Sequence, residues 1–139
     1  MGSISEKVER QVVLLDENKT SYEAAVLMSE KHIGSVVVTR NSEIVGLFTE
    51  RDLIHRVIHE RRNPENVTVK EIMRTKVPMV TLDESSEKCI ELMKQHNCRH
   101  LLVFDVDAFV GIISLRDLLV LLLDEKEELI NQLTKYVTT

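Results

Sequence analysis

Ile44-Val45-Gly46-Leu47-Phe48-Thr49-Glu50-Arg51-Asp52-Leu53 returns 65 positions later as Phe109-Val110-Gly111-Ile112-Ile113-Ser114-Leu115-Arg116-Asp117-Leu118. In both copies an apolar run with one glycine leads into Ser/Thr-x-x-Asp. Apolar runs of this length, rich in β-branched residues, suit buried strands. Ser or Thr followed three residues later by an acid is a helix-capping box. Each copy therefore predicts a strand that turns directly into a helix.

The match extends upstream without a gap to Ser21, which falls on Ser86. Val36-Val37-Val38 meets Leu101-Leu102-Val103, and Leu27-Met28 meets Leu92-Met93. A period of this size marks a tandem duplication. Apolar residues at helical spacing predict helices over 21–32 and 86–97. Short strands are predicted at 12–15, 35–39, 44–48, 78–82, 101–105 and 109–113, with turns at 40–43 and 106–108. The fold class is α/β, with strand-helix-strand-strand-helix twice. A half of about 60 residues buries little surface alone. The two halves are therefore expected to pack as a pseudo-twofold module with two related clefts. Pro64 is expected to end the helix before the linker, and Val69 to Met73 to form a short helical lead-in. The expected division is 1–63, 64–123 and a C-terminal helix over 124–139.

The chain has 139 residues, of which 43% are hydrophobic and only 4% aromatic, with no Trp. Val, Ile and Leu must fill the core. The net charge of −5 and the lone basic pair Arg61-Arg62 argue against nucleic acid. Cys89 and Cys98 make neither a disulfide framework nor a zinc motif. No apolar run approaches the length of a membrane span. Glu6 stands where a myristoylation signal starting at Met1-Gly2 needs Ser or Thr. A reduced cytoplasmic location without membrane contact is expected.

Two further features bear on chemistry. A helix start beside a cleft favours anions, and a carboxylate can accept both hydrogen bonds of a vicinal diol. Arg51 and Arg116, next to the two aspartates, could hold phosphate. The plainer reading is that both boxes only cap. No nucleophile–base pair and no glycine-rich phosphate loop is present, so no enzyme is expected. His55 and His59 share a helix face but lack a third ligand, and His96, Cys98 and His100 are expected in buried or cleft-lining roles, so no metal is expected. Gly46 and Gly111 mark either a place where no side chain fits or a close approach to ligand. Leu118 to Leu123 is apolar all round, which calls for burial under the C-terminal segment or in a dimer interface. A separate amphipathic helix is expected from Asp124 to Val137.

Taken together, Ile33 to Val38, Gly46 to Asp52, Val69 to Met73, Arg99 to Val103 and Gly111 to Asp117 make the chain resemble a tandem cystathionine-beta-synthase (CBS) domain pair. Its tail, Ile130 to Val137, is similar to that of small stand-alone bacterial members. The resemblance implies a ligand-sensing regulatory module that binds AMP, ADP, ATP, NAD or S-adenosylmethionine between the repeats and forms a homodimer. It implies ribose contacts for Asp52 and Thr49, and for Asp117 and Ser114. Phosphate contacts fall to Arg99, His100 and Arg116 at the Asp52 cleft, and to Arg51 at the other. Val77, Met79 and Val80 are the implied adenine pocket. The charge count favours the Asp52 cleft as the tighter one. An adenine nucleotide would be a regulatory ligand, not a catalytic cofactor, and the regulated protein is a separate, unknown effector. The rival class is a structural or interaction module that takes no physiological nucleotide.

Overall fold

The computed structural model describes residues 3–138; the Met1-Gly2 start considered above lies outside them. Strand β1 (Leu14–Asp16), helix α1 (Ser21–Lys31) and strands β2 (Ser35–Arg40) and β3 (Glu43–Thr49) come first. Helix α2 (Glu50–Leu53) runs on as a π-helical segment, Ile54–Ile58. A short helix, α3 (Val69–Ile72), precedes β4 (Met79–Thr81), α4 (Ser86–His96), β5 (His100–Asp105), β6 (Ala108–Ser114) and α5 (Leu115–Thr138). Each repeat makes a three-stranded sheet, β1-β2-β3 or β4-β5-β6. The first pair in each is parallel and the second antiparallel.

The duplication reaches fine detail. Thr20 caps α1, with its Oγ1 accepting from the Glu23 amide at 3.1 Å. Ser85 caps α4 in the same way, accepting from Lys88. His32 and Asn97, 65 positions apart, end these helices in the left-handed conformation, a common helix stop. Both antiparallel pairs slip register at the same place, after Val38 and after Val103. Pro64 opens a 3-10 turn capped by Asn63 instead of ending a helix; its fixed φ suits a first helical position.

The chain divides into two compact units, Val12–Lys76 and a second made of the stretch up to Gln11 with Val77 onward. The expected break near 63/64 and an N-terminal lead-in for the first repeat differ from this. Each lead-in completes the other repeat's sheet. Backbone hydrogen bonds explain why. Glu9 exchanges N–H···O bonds of 2.8 and 3.1 Å with Ile112 on β6. Arg74 exchanges two of 2.9 Å with Leu47 on β3. Ile4 and Val8 thereby join the core of the second unit with Val80, Cys89, Met93, Leu101, Val103, Ile113 and Leu118. Val67, Val69, Ile72 and Met73 join Ala24, Met28, Val36, Val38, Phe48 and Val57 in the first.

These contacts also account for both strand glycines. A Cβ on Gly111 would sit 2.1 Å from the Glu9 carbonyl oxygen, and one on Gly46 would sit 2.7 Å from that of Arg74. The close approach is made by the protein's own backbone.

The C-terminal helix departs from expectation. No separate helix begins at Asp124, because α5 is continuous from Leu115 to Thr138. Leu118 and Leu121 are buried, but Leu119, Val120 and Leu123 are exposed. Burial under a folded-back tail is therefore excluded.

Glu17 is a buried carboxylate gripped by Arg40, whose Nε and Nη2 lie 2.6 and 3.1 Å from its oxygens. The Arg40 hydrogen bond holds the Glu17 carboxyl below its usual value of 4.5.

Two predictions follow from this packing. Gly111→Ala should push the Glu9 segment off β6 and destabilise by about 1–3 kcal/mol, with Gly46→Ala milder; urea unfolding and amide exchange at Ile112 read both. A lowered carboxyl contributes stability above its unfolded pKa and loses it as pH falls through the folded one. The stability gap between the natural chain and Glu17→Gln should hold at pH 7, narrow below pH 4.5 and close in stronger acid, as followed by thermal melts across pH.

Candidate functional site

Both Ser/Thr-x-x-Asp boxes form, and they are wired alike. In the first unit the Thr49 amide and Oγ1 donate to Asp52 Oδ2 at 3.0 and 3.1 Å. The Asp52 amide returns a bond of 3.2 Å to Thr49 Oγ1. In the second unit the Ser114 amide and Oγ donate to Asp117 Oδ2 at 3.1 and 2.8 Å, and the Asp117 amide returns one of 3.1 Å. One carboxylate oxygen of each aspartate is thus used for capping. The function of each box depends on the other oxygen.

Here the two differ. Asp52 is 2% exposed, and its Oδ1 accepts from Arg74 Nε at 3.3 Å. Asp117 is half-buried, and among the described residues nothing bonds its Oδ1. Arg74 reaches Asp52 because its backbone is bridged to Leu47, just before the box. The repeat offset puts Glu9 where Arg74 stands, and Glu9 is bridged to Ile112. A cation faces one capping aspartate, while the matching residue in the other unit is an acid. Neither residue was singled out from sequence. Extending the 65-residue offset upstream would have paired them and exposed the reversed charge.

The other expected site residues fall as follows. Arg99 and His100 lie beside the second box in their own unit. The Leu115 amide donates to the Arg99 carbonyl at 2.9 Å, and His100 pairs with Ser114 across the strands. Arg99, Arg116 and Arg51 are exposed. Gly34 holds the place of Arg99 in the first unit, accepting from the Glu50 amide at 3.0 Å. Val77 is half-buried and Met79 is 66% exposed, so both keep free apolar surface. Val80 does not, being packed in its own unit's core.

His55 and His59 are exposed. Among the described residues, no group of three His, Cys, Asp or Glu is placed to hold a metal. Cys98 Sγ donates to the His100 carbonyl. Burial pushes the Cys89 thiol up to about 11, which leaves it protonated and inert near neutrality. No helix of the described residues is long and apolar enough to cross a membrane.

The profile of the CBS domain matches residues 3–59 and 69–124. The chain belongs to the CBS-domain family. Among curated CBS relatives, YhcV of Bacillus subtilis is 32% identical over 120 residues, covering 86% of this chain and 85% of that one. Protein MK0525 of Methanopyrus kandleri, which is uncharacterized, is 35% identical over 121 residues, 84% of this chain. The match spans 61% of that protein's length. A CBS-domain protein of Burkholderia ambifaria, named a candidate signal-transduction protein, superposes with a TM-score of 0.79 at 33% identity, covering 84% and 90% of the two chains. A hexameric CBS-CP12 protein from bloom-forming cyanobacteria gives 0.79 at 27% identity, covering 86% and 70%. CBS domain pairs are commonly regulatory and ligand-binding, and they typically take adenine nucleotides as regulatory ligands.

Proposed function

We propose that this CBS pair is a non-catalytic, cytoplasmic regulatory module that binds an adenine nucleotide (AMP, ADP, ATP or NAD) and signals to a separate effector protein. The observation that carries this reading is the open Oδ1 of Asp117. That oxygen sits on a carboxylate already oriented by two donors from Ser114. A fixed carboxylate with one unused oxygen and a hydroxyl beside it suits the two hydroxyls of a ribose. Asp52 with Thr49 repeats the capping half of the arrangement, but with Arg74 on its Oδ1.

In this reading Arg99, His100, Arg116 and Arg51 serve the phosphates, and Val77 and Met79 offer adenine an apolar wall. The ranking of the two seats is reversed from the charge count. That count omitted Arg74, which already occupies Asp52, so Asp117 is the readier seat. The signal comes from unequal ligand affinity for two arrangements of the protein.

Homodimerisation belongs to the same proposal, and α5 supports it. From Lys126 to Val137 every residue of the helix is exposed. Leu123, Ile130, Leu133 and Val137 form a stripe on it, exposed by 56–81%. A helical extension this short is marginal in water without packing. The hexameric CBS-CP12 relative shows that a family member assembles.

Two measurements test these statements. Nucleotide at about 100 times its dissociation constant should stabilise the protein by about 2.7 kcal/mol. Isothermal titration should then show Asp117→Ala weakening binding about 10- to 100-fold, and Asp52→Ala weakening it less. No thermal shift with AMP, ATP, NAD or S-adenosylmethionine favours the rival structural module. Leu123→Glu with Leu133→Glu should convert a dimer to a monomer by light scattering. A natural chain that is already monomeric at high concentration refutes the helix interface.

A further inference from the structure

We infer that α5 pairs antiparallel with α5 of a second copy of this chain, and that Lys126 sets the orientation; this rests on the homodimer reading above. Leu119, Leu123, Ile130, Leu133 and Val137 are exposed by 49–81%. Lys126 is exposed as well and stands in line with them. Residues 119, 123, 126, 130, 133 and 137 follow one another at steps of four, three, four, three and four. Alternating steps of this kind keep one seam of a helix against a partner helix. The seam is apolar except at Lys126.

The spacing reads the same in both directions. A twofold axis beside Glu128 therefore gives every seam position a counterpart. Leu119 meets the partner's Val137, Leu123 the partner's Leu133, and Lys126 the partner's Ile130. In such an isologous contact each pairing occurs twice. The surface is shaped for it. Ile130, Leu133, Thr134 and Val137 surround a shallow hollow, the four-residue hole that a coiled-coil knob enters. The antiparallel register sets the partner's Leu123 over that hollow. It also covers Leu119, which the chain's own tail leaves bare.

Charge decides against the parallel alternative. There Lys126 would face the partner's Lys126 inside the seam, and the run Asp124-Glu125-Lys126-Glu127-Glu128 would lie on its own copy. Like charges set against each other across an interface are costly. Antiparallel pairing instead lays the Lys126 stem along the partner's Ile130 and brings its ammonium toward the partner's Glu127. The twofold repeats that pair. A single polar residue in such a seam specifies register at some cost in stability.

Disulfide cross-linking of the full chain carrying Cys98→Ser, under oxidised glutathione, reads the orientation. Leu119→Cys and Val137→Cys are placed on separate chains. A cross-linked dimer should form when the two are co-expressed and not with either alone, because each cysteine would lie about 27 Å from its own copy. Lys126→Glu and Glu127→Lys should each weaken dimerisation about three- to tenfold in sedimentation. The two exchanges together should restore most of it. Val137→Cys that cross-links to itself, and not to Leu119→Cys, overturns the antiparallel pairing and leaves the homodimer standing. So does a double exchange as weak as either single one. A dimer that cross-links in no combination overturns the helix pairing altogether. A natural chain that stays monomeric at high concentration overturns this inference and the homodimer reading together.

Discussion

A backbone carbonyl laid against a glycine holds this protein's organisation in place. Glu9 meets Gly111 and Arg74 meets Gly46, each so closely that a single methyl group would collide. Each contact lets a stretch from the opposite end of a repeat add two antiparallel hydrogen bonds to a strand edge. A three-stranded sheet leaves unpaired edge groups that need covering, and the lead-in segments supply part of that cover. They also bring apolar cargo: Ile4 and Val8 fill one core, Ile72 and Met73 the other. The linear order of the repeats is therefore not the order in which they are built.

That distinction separates what the sequence disclosed from what it did not. Local signals were legible. Continuous apolar runs placed β2, β3, β5 and β6 within a residue or two, helical spacing placed α1 and α4, and the two capping boxes placed the starts of α2 and α5. These depend on neighbours within one helical turn or one hairpin. The partition of the chain depends on a pairing between Glu9 and Ile112, which are far apart and carry no mutual signature except a glycine. The glycine was noticed, but its partner could not be named. Arg74 was missed for the same reason: an arginine in a loop is ordinary until a distant aspartate is placed beside it.

The misplaced helix boundary at Asp124 has a different cause. Composition changes sharply there, from six apolar residues to Asp124-Glu125-Lys126-Glu127-Glu128. A change of composition does not end a helix, however. Glycine and proline are the strongest stops, and neither lies between Leu115 and Thr138. Good helix formers on both sides of the change carry α5 straight through it. The acidic run then sits in mid-helix, with Lys7 bonding Asp124 from the N-terminal segment at 3.5 Å. Of the two expected covers for the apolar stretch, the C-terminal segment fails with it, since Leu119 and Leu123 face outward.

Capping and ligand binding first looked like rival explanations of Ser/Thr-x-x-Asp, but the geometry makes them compatible. Capping takes one carboxylate oxygen and fixes the plane of the group. The remaining oxygen is then aimed without further ordering, which is the condition for binding polar groups at low entropic cost. Whether it is available depends on a residue delivered from elsewhere in the chain. At Asp52 that residue is the cation Arg74; the matching position in the other unit carries the acid Glu9. Two repeats with the same local wiring therefore differ at the second carboxylate oxygen. Their difference is written in the lead-in segments, at the matched positions Glu9 and Arg74.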